Sequence, residues 1–419
     1  MNFAQGLSLA LLGVCLIVAV WRRINIGVLA LASAVIILLA SGASVDKMYT
    51  TFPGNLFTLI AGVSLLFAHL EKSGALRAFV DATFRTVGDG TYLLPWACFL
   101  IAGALSSMGA FSTAPIALMV PVVAFVSVKY PRSFFINELG VVIGANSAGL
   151  SPLNPTGATL HHALSEINVA NNTWGVWAIS VATGAVAVAA LQAIEAIRRR
   201  RGASFIAPAI PKDASSPDAP QAGNRTYAIA SGCMLGLFMI VVVVFKFDIG
   251  TTSMLAALLL QIVFKPSERE LIARVPWNAI LLLCGLLTYL GLIKQIGTMD
   301  VIQQVLSGIT IPALLVLMLA YITALLCNIE SSTIGVLTLM APIVGSALGA
   351  SPSIMLIVAA VAAPAALTVM NPVHVAGTLI VANTMEDQQS QAFGRLFAIA
   401  VGCSVIAPGI LSAIAIATL

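Results

Sequence analysis

The stretch that decides the fold is Gly144-Ala-Asn-Ser-Ala-Gly-Leu-Ser-Pro-Leu-Asn-Pro-Thr-Gly157, inside an apolar segment that runs from 135 to 166. Pro152 and Pro155 lack the N–H donor of a helical residue, and each disfavours helix in the residue before it. The sequence therefore predicts a helix that breaks around residues 151–156. The half-helix that starts near Thr156 then points its positive N-terminus into the gap.

The composition places this break inside a membrane. Of 419 residues, 59% are hydrophobic, and the 20 basic and 16 acidic residues make up only 9%. Soluble domains carry roughly 25% charged residues. The composition therefore excludes a cytosolic enzyme, a secreted disulfide scaffold and a nucleic-acid binder, and it indicates an all-α polytopic membrane protein. A broken backbone at membrane depth is tolerated only where protein or a wet cavity satisfies it.

The rest of the chain divides into apolar runs separated by short polar segments. The runs lie at 3–21, 24–41, 55–70, 93–108, 112–129, 135–166, 173–197, 226–246, 249–265, 277–294, 312–327, 332–349, 353–384 and 393–418. Two amphipathic stretches, 75–88 and 298–309, predict helices that lie on the membrane surface. The polar, proline-rich segment 198–225 predicts a disordered linker.

Basic residues set the predicted orientation. If Arg198–Arg201 is cytoplasmic, 17 of the 20 basic residues fall inside and only Lys47, Lys246 and Lys294 fall outside. This bias is the one expected of cytoplasmic loops. It predicts a bacterial inner-membrane protein with both termini outside and the 198–225 segment in the cytoplasm.

Three blocks of residues recur in the two halves of the chain. Pro53, Asn55, Gly62 and Gly74 recur at offset 223, Met119, Pro121 and Val123 at offset 221, and Asn154-Pro155 at offset 217 as Asn371-Pro372. Each half has five predicted crossings plus a re-entrant hairpin, and an odd number of crossings turns the second half upside down. We therefore expect two inverted-topology repeats, 1–197 and 226–419, joined by the 198–225 linker. Such repeats, with broken helices at the midplane, are typical of secondary transporters.

The two breaks and the two hairpin tips carry the candidate substrate-binding residues. The second break is Thr368-Val-Met-Asn-Pro-Val-His374, and the tips are Ser106–Pro115 and Asn328–Gly335. The candidates are Ser112, Thr113, Ser151, Asn154, Pro155, Thr156, Ser331, Ser332, Thr333, Thr368, Asn371, Pro372 and His374. Amides and hydroxyls both donate and accept, which suits an anion bound beside a cation. The alternatives are simple proline kinks, helix caps and, for His374, a neutral core histidine.

Candidates for cation or proton coupling lie at the same places. They are Ser107, Asn146, Asn328 and Glu330. An ionisable residue inside a membrane span is a functional candidate by default, so Glu330 is predicted either to bind a cation or proton or to cap the next helix. His161 and His162 lie toward the outer end of their half-helix. The six cysteines lie singly in apolar segments, so no metal site or other cofactor is expected beyond Na⁺ or H⁺.

At this point the sequence resembles a known group. The architecture is similar to that of the ion transporter superfamily, which includes the divalent anion:sodium symporters. Within it, the Gly144–Gly157 motif, the stretch Gly285-Leu-Leu-Thr-Tyr-Leu-Gly-Leu-Ile-Lys-Gln-Ile-Gly297 and Ser331-Ser-Thr333 resemble the MatC-type dicarboxylate carriers. The family's hairpin tips typically read Ser-Asn-Thr, and the central Asn is missing from both tips here.

The resemblance implies a secondary active transporter that imports a C3 or C4 dicarboxylate such as malonate, succinate or malate, coupled to Na⁺ or H⁺. It also implies an elevator-type movement and a homodimer in the lipid bilayer. The rival hypotheses are an inorganic anion or arsenite transporter, or an antiporter, of the same superfamily. An intramembrane enzyme is disfavoured, because no HExxH, Gly-x-Ser-x-Gly or Asp pair is present.

Overall fold

The fold is seen in a computed structural model. It describes residues 3–22, 24–42, 44–78, 92–127, 131–169, 172–201, 206–208, 225–307, 311–329 and 333–419. The predicted tip residues Glu330, Ser331 and Ser332 lie outside these residues, as does most of the predicted surface helix 75–88.

The described residues form helices throughout. In the first half these are α1 (Phe3–Arg22), α2 (Ile26–Ser41), α3 (Asp46–Thr50), α4 (Gly54–Lys72), α5 (Leu94–Ser107), α6 (Thr113–Ser127), α7 (Phe134–Ala148), α8 (Pro155–Ser165) and α9 (Thr173–Arg200). In the second half they are α10 (Arg225–Val243), α11 (Ile249–Phe264), α12 (Glu268–Ala273), α13 (Trp277–Gln295), α14 (Thr298–Ser307), α15 (Pro312–Ile329), α16 (Thr333–Leu348), α17 (Ile354–Thr368), α18 (Val375–Ala382) and α19 (Gln389–Ile416).

These helices make up a polytopic membrane protein. Among the described residues, five helical segments are long and apolar enough to cross a bilayer alone: Gly54–Lys72, Thr173–Arg200, Arg225–Val243, Trp277–Gln295 and Glu386–Ile416. Large apolar side chains such as Val263 and Ile406 remain exposed on the outside of the protein. A bilayer supplies the apolar surroundings that such side chains need.

Both predicted helix breaks are confirmed. The 135–166 run is divided between α7 and α8, with residues 149–154 between them, and the 353–384 run is divided between α17 and α18. The stretch 298–307 is helical, as its periodicity predicts. The prolines set these break positions because neither Pro152 nor Pro372 can donate a helical hydrogen bond.

The two halves share local backbone geometry at offset 223. Pro53 and Pro276, which precede α4 and α13, have φ/ψ of −79°/68° and −78°/69°. Gly74 and Gly297 follow those helices with φ of 78° and 76°, a left-handed conformation that favours glycine. The sequence match at this offset therefore reflects the same helix starts and turns in both halves.

The two halves approach each other closely at four glycines, two in each half. Helix α2 packs on α13 and helix α11 packs on α4, so each contact joins one half to the other. Added Cβ atoms at Gly27 and Gly285 would overlap the backbone of the facing helix, and so would Cβ atoms at Gly250 and Gly62. Only glycine permits backbones to come this close, and interfaces of small residues are a common feature of membrane helix packing.

Part of the predicted disordered linker is ordered. Residues 206–208 pack against the segment between α18 and α19, where Ala207 N donates to Gln388 Oε1 at 2.8 Å and Met385 N donates to Ala207 O at 3.3 Å. Ile206 is buried. The prediction of disorder is wrong for these three residues, because the apolar Ile206 is buried in the fold. It is also wrong for Arg198, Arg199 and Arg200, which lie in α9, and for Arg225, which begins α10.

Gly285→Ala tests the glycine crossing. The new methyl group would overlap the Gly27 carbonyl, so we expect about 1–3 kcal/mol of destabilisation, seen as a lower thermal midpoint in detergent. Gly236→Ala is the matched control, because that helical glycine has open space around it and alanine has the better helix propensity. Equal midpoints for the two variants would contradict the close crossing.

Candidate functional site

The first break is built around Asn154. Its backbone is extended, with φ/ψ of −88°/143°, and its Oδ1 accepts a hydrogen bond from Thr156 N at 2.9 Å. Pro155 occupies the first helical position of α8, where its missing N–H costs nothing and its fixed φ suits the helix. Asn154 is thus the N-cap of the second half-helix.

The amide nitrogen of Asn154 ties the break to the first hairpin tip. It donates to Ser106 O at 2.9 Å and to Ala110 O at 2.7 Å. Nearby, Ser151 Oγ donates to Ser107 O at 2.8 Å. Asn154 is fully buried. Its side chain therefore supplies a donor to the Ala110 carbonyl and a second donor to the Ser106 carbonyl, which also accepts from Gly109 N at 3.1 Å, and break and tip form one unit.

The second break meets the second tip through a histidine. His374 is buried, and its Nε2 lies 2.8 Å from Cys327 O. A carbonyl only accepts, so Nε2 carries the proton and donates. Asn371 Oδ1 accepts from Val373 N at 3.1 Å, while its Nδ2 donates to Asn328 Oδ1 at 3.1 Å.

The hydrogen bonds show which residues of the two breaks correspond. Asn154 donates to Ser106 O, and His374 donates to Cys327 O at the equivalent tip position. Ser151 and Asn371 each accept from the main-chain N–H two residues later. The predicted pairing of Asn154 with Asn371 at offset 217 is therefore wrong by three residues, and the offset here is 220.

The glycines confirm the register of 220. A Cβ on Gly157 would overlap the carbonyls of Leu150 and Ser151, and a Cβ on Gly377 would overlap those of Met370 and Asn371. Identical Asn-Pro dipeptides suggested the other register from sequence alone. The close approach of each half-helix to the preceding turn decides it.

The remaining candidates differ in what they can reach. Ser112 Oγ donates to Ala145 O at 3.1 Å, and Asn146 and Thr368 bond within their own helices. Pro155 and Pro372 are buried, whereas Thr113 is exposed and Thr156 is half-buried. In the described part of the chain, the buried Thr333 hydroxyl has no hydrogen-bond partner. Among the candidates that the structure describes, Thr113, Thr156 and Thr333 therefore have hydroxyl groups left for a ligand.

Four helix N-termini begin at these junctions. Helices α6 and α16 start at the tips, and α8 and α18 start at the breaks. They pair across the two halves, since α8 packs on α16 and α18 packs on α6. A helix N-terminus carries partial positive charge and free N–H groups, which together attract anions. The described residues of the tips and breaks contain no Arg or Lys.

A cavity of about 510 Å³ lies beside α8, at the end away from the break. Its lining comes from both halves and includes Asn55, His162, Glu166, Lys294 and Gln295. The Lys294 ammonium donates to the main-chain carbonyl of Glu166, and Asn55 Nδ2 lies 3.5 Å from His162 Nδ1. The cavity thus presents one lysine, one glutamate and several hydrogen-bonding groups.

Sequence reasoning missed three parts of this site. Ser106 and Cys327 contribute main-chain carbonyls, which leave no trace in side-chain identity. The sequence predicts only that Lys294 lies on the outer side of the membrane. Its position in the cavity depends on how α8 and α13 pack, which the sequence does not show. A signal was available for Glu138, which lies inside the apolar 135–166 run, whereas the other acid of that run, Glu166, is its last residue. Intramembrane acids are functional candidates.

A solved structure has a similar fold. The protein superposes on the crystal structure of the Alcanivorax borkumensis YdaH transporter, which was reported to have an unusual topology. The match has a TM-score of 0.61 and 15% sequence identity, and it covers 88% of this chain and 87% of that one. At this identity the likeness concerns the fold alone.

A family match covers the N-terminal third of the chain. Residues 4–149 match the model described as the dicarboxylate carrier protein MatC N-terminus. The predicted resemblance to MatC-type carriers is confirmed for this part of the chain, and it points to a carrier protein rather than an enzyme. No curated protein sequence matches closely enough to count as a relative.

Asn154→Ala tests the hydrogen bonds between the first break and the first hairpin tip, which we call the clamp. The change removes the Asn154 amide from the Ala110 carbonyl and from the Ser106 carbonyl, which keeps its hydrogen bond from Gly109 N, so we expect a loss of about 1–3 kcal/mol, measured by thermal unfolding in detergent. Asn383→Ala is the control, because among the described residues Asn383 Nδ2 bonds only to Leu379 O, one helical turn before it. A midpoint for Asn154→Ala as high as that of the control would show that the clamp is not stabilising.

Proposed function

We propose that this protein is a secondary active transporter that moves small dicarboxylates across the membrane. The observation that carries the proposal is the pair of broken helices with matching hydrogen-bond patterns, in a chain whose residues 4–149 match a dicarboxylate carrier model. Broken helices at membrane depth are where secondary transporters hold substrate.

The chemistry of the junctions suits an anion bound without a salt bridge. The N-termini of α6, α8, α16 and α18 supply N–H groups and partial positive charge. Thr113, Thr156 and Thr333 add hydroxyl donors, and buried Asn154, Asn371 and His374 hold the backbone in place. Ser112, Ser151, Thr368, Pro155 and Pro372 complete the proposed substrate site in the described residues. Substrate release is then not opposed by a buried ion pair.

The coupling ion is Na⁺ or H⁺. Backbone carbonyls and the side chains of Ser107, Asn146 and Asn328 are the oxygen ligands proposed for it, as is Glu330 outside the described residues. Hard cations prefer such oxygens. The repeated turns at offset 223 and the reciprocal glycine contacts support two inverted repeats, 1–197 and 226–419, and an elevator-type movement in a homodimer is part of the proposal.

The cavity beside α8 is proposed as the outer entry to this site. With 198–225 in the cytoplasm and both termini outside, Lys294 faces the outside of a bacterial inner membrane. The last turn of α8 lines the cavity, and the break lies about 12 Å deeper along that helix. The Lys294 charge would draw a dianion toward the break. An inorganic anion such as arsenite is the rival substrate class, and exchange is the rival mode.

Uptake by proteoliposomes tests the proposal. We expect accumulation of labelled malonate, succinate or malate when a Na⁺ or proton gradient is imposed, and no accumulation without one. Arsenite, phosphate and sulfate form the comparison set. Transport of those inorganic anions alone, or of dicarboxylates only against a preloaded anion, would replace the proposal with one of its rivals.

Lys294→Gln tests the entry cavity. Loss of the charge should raise KM for a dicarboxylate up to about fivefold, the effect of about 1 kcal/mol, with little change in kcat. The difference should shrink at high salt. Lys294→Arg should keep the low KM, and Lys246→Gln removes a lysine that does not line the cavity. A KM that rises equally in Lys246→Gln would rule out a specific entry role.

A further inference from the structure

One acidic side chain is buried in α7 without any partner. Glu138 is fully buried, one turn after the helix begins. In the described part of the chain, neither oxygen of its carboxyl group has a hydrogen-bond partner. An ionised carboxylate in such surroundings would be an isolated charge in a low-dielectric medium, which is strongly unfavourable. In this conformation the group is therefore a neutral carboxylic acid.

Among the described residues, the neighbouring elements place no counter-charge in contact with the Glu138 carboxyl group. Helix α7 packs against α5, α6, α9, α17, α18 and the 131–133 turn. Facing Glu138 from α5 is Cys98, which is also fully buried. The described residues of α6, α17 and α18 contain no charged or titratable side chain.

Charged groups do occur at one edge of the helices around Glu138, beside the start of α7. They are Arg132 in the turn and Glu195, Arg198, Arg199 and Arg200 at the end of α9. Arg199 bonds to Arg132 O and lies 3.7 Å from Glu195. Among the described residues, no ion pair joins these groups to Glu138. A shift of α7 toward that edge would give the carboxyl group water and basic partners.

Packing does not require an acid at this position. In the register of 220 established at the breaks, the counterpart of Glu138 in α17 is Val358, which is also buried. The fold thus accommodates an apolar side chain at the equivalent place. Because burying an acid is costly and the fold can do without it, its presence calls for a role in function.

The acid is rigidly connected to the proposed substrate site. Ala148, the last residue of α7, lies ten positions after Glu138. At the rise of an α-helix this is a distance of about 15 Å. Any movement of the break along the membrane normal therefore moves Glu138 as well. A group that is neutral in one position and solvated in the other takes up or releases a proton as the helix moves.

We propose that Glu138 binds the coupling proton of transport. This inference rests on the proposed function and specifies its coupling ion. With α7 as seen here, the carboxyl group holds the proton. When α7 moves toward the arginine-rich edge, the O–H bond breaks heterolytically, the proton passes to water, and the carboxylate is left facing basic groups.

Infrared spectroscopy of the purified protein tests the protonation state without any substrate. We expect wild type at neutral pH to show the C=O stretch of a protonated carboxylic acid, and Glu138→Gln to lack it. Glu268→Gln, which alters an exposed acid, should keep the band. A band that survives in Glu138→Gln, or that is absent from wild type, would overturn the assignment.

Transport assays test the coupling itself. For one proton per substrate, a pH difference of one unit supports about tenfold accumulation. Glu138→Gln should exchange labelled for unlabelled dicarboxylate across the membrane yet show no pH-driven accumulation, while Glu268→Gln accumulates like wild type. Wild-type accumulation that needs Na⁺ and ignores the pH gradient would overturn the proton role. If wild type transports no dicarboxylate, the proposed function fails, and the infrared band still decides whether Glu138 holds a proton.

Discussion

Backbone groups that a helix break frees inside a membrane must find hydrogen-bond partners within the protein. This constraint organises the centre of the molecule. At the first break, the Asn154 side chain caps α8 and donates to two carbonyls of the hairpin tip. At the second, His374 donates to a tip carbonyl and Asn371 completes the turn. Each break is therefore hydrogen-bonded to a hairpin tip, and break and tip form one structural unit.

The second organising feature is the interlocking of the halves. The glycine contacts of α2 with α13 and of α4 with α11 hold the backbones at a distance that no larger residue permits. The half-helices α8 and α18 in turn pack on helices that start at the opposite half's tip. Contacts between the halves therefore occur at the half-helices as well as at the glycine crossings.

The two halves share local backbone geometry at Pro53 and Pro276 and at Gly74 and Gly297, but they differ in the polar side chains of their breaks. Ser151 corresponds to Asn371, Asn154 to His374, and Glu138 to Val358. Turn geometry is preserved by any side chain that offers the needed donor or acceptor, so these substitutions leave the fold intact. They give the two halves different chemistry, and the acid proposed to bind the coupling proton, Glu138, has an apolar counterpart in Val358.

Sequence alone predicts the class of protein, most of the long apolar helices and the two helix breaks, but not the short helices α3 and α12. Proline removes a donor wherever it occurs, and the pattern of apolar runs reads directly as membrane helices. It could not determine the register of the breaks, because Asn154-Pro155 and Asn371-Pro372 are identical dipeptides in different structural places. Only tertiary structure paired Asn154 with His374, ordered Ile206 against the end of α18, and brought Lys294 into a cavity. Those outcomes depend on main-chain carbonyls and close backbone approaches, which side-chain identity does not encode.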